Sequence, residues 1–233
     1  SAQSQHGAYG ITVDGSSNTI AYNEIVGMYY GGIGVGGEMG AYNTKILFNK
    51  LISNQEGVSH FNSHSSIIMN NTFNHNTYGL YISGSRHCTI MYNYVNSSEF
   101  DGFYITYSPE ANTTIAKNTV ANSTGNGINC WYSSHYIIAE NHLVDNKDNG
   151  IYVESCYFNK IVGNIINRNG FCGINLYSCF NHNISKNDIK ANKGYGIDLH
   201  YSSDNSVAGN IITANEGWGI FLSDSPKNTI SGN

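Results

Sequence analysis

The stretch Gly194–Gly219, GYGIDLHYSSDNSVAGNIITANEGWG, is the unit from which the chain is built. From Gly196 it reads as a glycine, two apolar residues at alternate positions (Ile197, Leu199), a serine (Ser202) and a polar turn. Then come an apolar residue (Val207), an asparagine (Asn210), another apolar residue (Ile212), a second asparagine (Asn215) and the next glycine. The period is 23 residues, the separation of Gly196 and Gly219. Working outward in both directions, the opening glycines are Gly10, Gly32, Gly57, Gly79, Gly102, Gly127, Gly150, Gly173, Gly196 and Gly219. The position after each is always apolar, from Ile11 to Ile220, and the position three after is apolar except for His60. Later in each copy stands one asparagine without exception, from Asn23 through Asn164 to Asn233.

Such short runs of β-branched residues, separated by Gly, Asn and Ser, do not carry a helix, and the strand-then-helix phrase of a leucine-rich repeat is missing. Each copy holds two or three strands too short to form a sheet alone, so equivalent strands of successive copies must pair in parallel. The prediction is an all-β, right-handed, single-stranded parallel β-helix of about ten coils of 22–26 residues. At about 4.8 Å per coil it makes a rod roughly 45 Å long. Stacked identical residues become ladders: Ile and Leu columns fill the core, and the Asn column links side-chain amides from coil to coil.

The phrases NSVAGNIITAN (Asn205–Asn215) and NKIVGNIINRN (Asn159–Asn169) resemble the NosD-like β-helix repeats of carbohydrate-binding proteins and sugar hydrolases. The likeness runs over residues 10–233. It implies the β-helix fold and leaves function open, because such proteins include lyases, epimerases, hydrolases, adhesins and a copper-site assembly accessory.

Composition agrees with one solenoid domain over residues 1–233, with 1–9 an irregular lead-in, and the sequence reads as a segment of something longer. Charged residues make up 12 % and the net charge is −5, so there is no basic stripe for nucleic acid. No apolar run reaches the length of a membrane span. Nothing resembling a signal peptide opens the chain, and the end coils lack polar caps, which predicts end-to-end or self association. The five cysteines are an odd number. Cys156 and Cys179 stand one coil apart in a column otherwise filled by serines such as Ser133 and Ser202, and both an inward stack of small residues and a disulfide stay open. Sequons at Asn70, Asn96, Asn112, Asn122 and Asn183 permit glycosylation.

On the first strand of each copy, residues between the inward columns point outward. They include Tyr81, Tyr104, Asn129, Trp131, Tyr152, Glu154, Asn175, Tyr177, Asp198 and His200. Rings with polar edges are what the flat faces of sugars stack on, although strand propensity alone also places Tyr on exposed strands. Two insertions, Glu38–Tyr42 and Pro109–Asn112, fall at one corner and are expected to wall the strip carrying Phe61, Tyr81 and Tyr104. Glu154, Asp198 and His200 are the candidates for catalysis, with Glu154 about 10 Å along the axis from the other two. The Asp-Pro-His motif of epimerases is absent, as are the clustered aspartates of pectin-cleaving β-helices and the cations a lyase needs. His64 and His87 share a corner, but two imidazoles do not make a metal site, and neither a metal nor another cofactor is expected.

The reading is an extracellular, cell-surface or periplasmic β-helix whose aromatic face binds polysaccharide or glycan. The alternatives are a carbohydrate-active enzyme, lyase or hydrolase, and a structural rod in an extracellular assembly.

Overall fold

The computed structural model describes residues 8–37 and 40–233. Its strands are three to six residues long and form three parallel sheets of ten, ten and nine strands. The first sheet runs from Tyr9–Val13 to Ile220–Ser223, the second from Thr19–Ala21 to Thr229–Ser231, and the third from Glu24–Val26 to Ile211–Thr213. Each strand pairs with its equivalent in the next coil, for example Ile151↔Ile174 and Leu176↔Leu199, giving a right-handed β-helix of ten coils. The described residues contain no helix, and hence none that could cross a membrane. Glu38 and Met39 of the first insertion, and the lead-in up to Gly7, lie outside the described residues.

The repeated apolar columns are the core. Ile33, Val58, Leu80, Ile128, Ile151, Ile174 and Ile197 are fully buried, as are Ile46, Ile115, Ile138 and Ile161 from the second sheet. Parallel pairing of successive coils forces the chain close to itself where the first strand begins. A Cβ on Gly150 would lie 2.2 Å from the Cγ2 of Ile166 and 2.8 Å from the Gly173 carbonyl oxygen. No side chain fits there, which is why the opening residue is always glycine.

The expected Asn ladder is continuous from Asn23 to Asn233. Each Nδ2 donates to the Oδ1 of the next coil's asparagine across 2.8–3.0 Å. The backbone N–H of the same residue donates to that same Oδ1, and Nδ2 also reaches a core carbonyl of the preceding coil, as in Asn164 to Ile138 O at 2.9 Å. The turns between sheets thereby satisfy backbone groups that no strand pairing reaches. The second asparagine column forms its own run, with Asn146, Asn169, Asn192 and Asn215 joined in sequence. A third ladder at the start of the second sheet joins Asn159, His182, Asn205 and Asn228.

All five cysteines are buried and free, so Cys156 and Cys179 belong to the inward stack of small residues and are not bridged. The Sγ of Cys156 accepts the Ser133 N–H, and the Cys179 N–H donates to Ser202 Oγ, so thiols and hydroxyls exchange roles along the column. Burial pushes the Cys156 thiol up to about 12. The one histidine of the core column, His60, is fully buried with Nδ1 2.9 Å from Ser85 Oγ, and burial pushes it down to about 4. His64 accepts the Arg86 backbone N–H.

Candidate functional site

The outer face of the first sheet has three columns, one more than the sequence pattern suggests. The opening glycine and the residue after it both point inward, as Gly150 and Ile151 do, so the residue before the glycine emerges on the outside. That column adds Glu56, Tyr78, Asp101, Asn126, Asn149, Tyr195 and Trp218 to the face. None of them stands out by strand alternation. The signal that would have found them is the break in parity caused by the glycine.

Beyond the cluster of Tyr9, Tyr29 and Tyr30 at the first coil, ring contacts divide the face into three groups. Phe61, Tyr78, Tyr81, Phe100 and Tyr104 form the first, with centroids 5.2 Å apart for Tyr81 and Tyr104 and 5.5 Å for Tyr78 and Tyr104. Trp131 packs against Tyr107 and Tyr132 at 5.2 and 4.7 Å in the second. The third holds Tyr195, Trp218, Phe221, His200, Tyr201 and Tyr177. Burial, reinforced by neighbouring carboxyls and phenols, pushes the Tyr78, Tyr81 and Tyr104 phenols up, which keeps them as neutral donors.

Between the first two groups, five residues expected from the sequence line one shallow pocket of about 180 Å³: Tyr104, Asn129, Trp131, Tyr152 and Glu154. Register brings them there. Tyr104, Asn129 and Tyr152 are successive partners in one column, and Trp131 and Glu154 are partners in the next. The Tyr152 phenol donates to Glu154 Oε2 at 2.8 Å, which fixes both side chains. Asn129 is held from the other side: its Nδ2 donates to Asp101 Oδ2 at 3.0 Å, and its Oδ1 is left buried with no protein partner. Because the carboxylate of Asp101 accepts only, the amide cannot turn around, so Oδ1 stays a buried acceptor without a partner beneath the pocket surface.

Asp101 is itself the head of a short polar ladder. Its Oδ1 accepts the N–H and Nδ2 of Asn126, whose Oδ1 accepts in turn from Asn149. Burial pushes the Asp101 carboxyl up, against the lowering effect of the bonds it accepts from Asn129 and Asn126. Two coils before it, the half-buried Glu56 is hydrogen-bonded to Ser59, and burial pushes its carboxyl up to about 7.

The remaining predicted residues lie further along the rod and do not join this pocket. Tyr177 separates Glu154 from His200, being the register partner of both, so the three catalytic candidates form two groups. Asp198 and His200 make one couple, Oδ1 to Nδ1 at 3.1 Å. Asp198 points outward as expected but is only 4 % exposed, hemmed in by His200 on its own strand and Phe221, its partner on the next coil. Burial raises its pKa, and the nearby His200 works against that. Asn175 lies between Tyr152 and Asp198 in the same column. Pro109, in the second insertion, lines a separate concavity with Tyr107 and Tyr132.

Among the described residues, the ten strands of this sheet carry no lysine or arginine, while Glu56, Glu154 and Asp198 lie on them. The face is acidic and aromatic.

No functionally curated protein matches the sequence. Several solved structures match the fold. A periplasmic alginate epimerase superposes with a TM-score of 0.84 at 17 % identity, over 94 % of this chain and 60 % of its own, so the chain spans about three fifths of that protein. The A-module of a mannuronan C-5 epimerase from Azotobacter vinelandii gives 0.72 at 16 % identity, over 95 % of this chain and 74 % of its own. A tailspike protein of bacteriophage CBA120 gives 0.74 at 12 % identity, over 92 % and 40 %. The model of the right-handed β-helix region matches residues 3–135, 57–212 and 172–233, and the chain belongs to the right-handed β-helix family.

Proposed function

We propose that this chain is a single β-helix domain that binds an uncharged glycan on the outer face of its first sheet, centred on the pocket of coils 5–7. The observation that carries this is the convergence of three rings, Tyr104, Trp131 and Tyr152, around the anchored Glu154 carboxylate and the Asn129 side chain. Aromatic walls with a few fixed acceptors suit a sugar ring, whose C–H face stacks and whose hydroxyls donate. Structures of similar fold include an alginate epimerase and a mannuronan epimerase, which supports a polysaccharide ligand. The absence of Lys and Arg from the strands of this face argues against a polyuronate here, since a carboxylate on every sugar would meet Glu154 and find no strand cation. Kinship with the NosD-like repeats and an extracellular, cell-surface or periplasmic location belong to the same proposal.

A carbohydrate-active enzyme is favoured by one observation, the Asp198–His200 couple. Against it stand the burial of Asp198 and the interposed Tyr177, which leave no second carboxylate facing Glu154 across the pocket. The deciding experiment compares binding of neutral and uronate polymers, with the products of prolonged incubation analysed in parallel. Binding of a neutral glycan without cleavage supports the proposal; tighter binding of a polyuronate that fades with salt overturns it.

A further inference from the structure

Trp131 is a partition. On its far side from the face pocket, beyond the edge of the first sheet, lies a larger concavity of about 410 Å³ lined by Tyr107, Pro109, Tyr132, Ser134, Ser155 and Tyr157. We infer that this corner is a second sugar subsite, occupied by the neighbouring saccharide unit of the same glycan, so that the chain of sugars crosses the rod over Trp131. The inference rests on the face reading above and adds a direction to it.

The rings that wall this corner stand just past the strands Phe103–Thr106 and Ile128–Trp131 and not on them. Tyr107 and Tyr132 sit at the turn that leaves the first sheet, with φ of 47° and 48°. The same turn position is taken by Asn62, Gly84, Ser155, Ser178, Tyr201 and Asp224 in other coils, all with positive φ. That conformation recurs at turns along the chain, at Tyr22, Phe48 and Tyr92 among others, so it belongs to the turn and not to this corner alone. Both rings are exposed, Tyr107 at 56 % and Tyr132 at 48 %. The two rings are parallel to within 2°, 5.9 Å apart, and both touch Trp131. An exposed pair of parallel rings, continuous with a pocket that already suits a sugar, fits the C–H face of a pyranose.

Charge narrows the occupant further. None of the six lining residues is Asp, Glu, His, Lys or Arg, and the only polar side-chain groups besides the phenols are the hydroxyls of Ser134 and Ser155. Ser134 Oγ already accepts the Tyr157 N–H at 3.0 Å, so Ser155 is the freer partner for a sugar hydroxyl. An uncharged saccharide meets these groups; a charged one does not.

Tyr157 makes the test clean, because its ring packs on Phe180 and not on Trp131. The chain has two tryptophans, so Trp218→Phe leaves Trp131 as the sole indole reporter. In that background, cello- and chito-oligosaccharides of two to six units are titrated against Trp131 fluorescence. The expected result is an affinity step of about three- to ten-fold at the length that reaches the corner. Tyr157→Ala should abolish the step while keeping the affinity for the shorter oligomer, and Tyr157→Phe should retain it. A step that survives Tyr157→Ala, or affinity that does not change with length, overturns the corner subsite and leaves the face pocket standing. If no oligomer binds, the face reading falls and the corner with it.

Discussion

The Nδ1 of His182 accepts the backbone N–H of Asn159 at 3.2 Å, and its Nε2 lies 3.1 Å from the Cys156 carbonyl oxygen. An N–H can only donate and a carbonyl can only accept, so the ring is the neutral tautomer with the proton on Nε2. In the same column Asn205 performs both tasks with its amide, accepting the His182 N–H at 2.8 Å and donating to the Cys179 carbonyl at 3.2 Å. The imidazole is a carboxamide substitute, and a second ring proton would face the Asn159 N–H.

Acid stability should follow from this. Burial pushes His182 down to about 4, whereas an unfolded histidine titrates near 6.5. The folded chain therefore binds fewer protons between those values, and the contribution is complete above pH 6.5 and lost as pH falls toward 4. His182→Asn should shrink this loss, measured as the difference in urea midpoint between pH 7.5 and 4.5. His60, also pushed down to about 4, should account for what persists. An undiminished acid loss in His182→Asn would refute the assignment.

Glu56 works in the opposite direction. Its carboxyl, raised to about 7 by burial, stays protonated in the folded chain where the unfolded one has already ionised. Stability is thus reduced as pH rises from about 4.5 to 7 and stays reduced above. Glu56→Gln keeps a partner for Ser59 and removes the charge. At pH 8 it should stabilise by about 1–2 kcal/mol, a value discounted because the carboxyl is only half-buried. Denaturation curves of parent and variant that shift in parallel from pH 5 to pH 8 would argue against it.

The Asn ladder should show polarity. Asn164 Oδ1 accepts both the N–H and the Nδ2 of Asn141, so Asn164→Ala strands two donors, at a cost of about 1–3 kcal/mol. Asn164→Asp keeps that acceptor and instead sets a carboxylate oxygen against Asn187 Oδ1, so it should also destabilise. Asn233 receives the same pair of bonds from Asn210, but it is exposed and water can replace it. Melting curves should separate Asn164→Ala from Asn233→Ala; equal shifts would contradict the ladder.

The columns were legible because each coil stacks on its equivalent, so any residue the stack requires must recur at the period. Isoleucine at the position of Ile151 and asparagine at that of Asn164 are such cases. What recurs less was harder to read. Glu56 and Asp101 escaped because alternation counted back from Ser59 or Tyr104 lands on the glycine, whose inward turn reverses the parity. Asp198 was rightly placed outward, yet whether an outward residue is accessible depends on its neighbours' bulk, here His200 and Phe221. Tyr107 and Tyr132 escaped because they lie just past the strand, outside the alternating columns.

The face pocket is tested through Trp131 and Tyr152. Both are outward and half-buried, and neither belongs to the core columns, so Trp131→Ala and Tyr152→Ala should leave the melting temperature nearly unchanged. Each should weaken binding of a neutral oligosaccharide by about three- to ten-fold, the worth of one stacked ring. Tyr152→Phe separates the ring from its hydroxyl. It keeps the stacking surface and releases the Glu154 carboxylate from the 2.8 Å bond, so its loss should be smaller than that of Tyr152→Ala. Because no cation takes part, affinity should change little between low and physiological salt, where a ligand gripped by charge would weaken. Isothermal titration of parent and variants at two ionic strengths reads all three effects. Unchanged affinity in both alanine variants would mean that these rings reflect strand propensity alone, and the rod would then be structural.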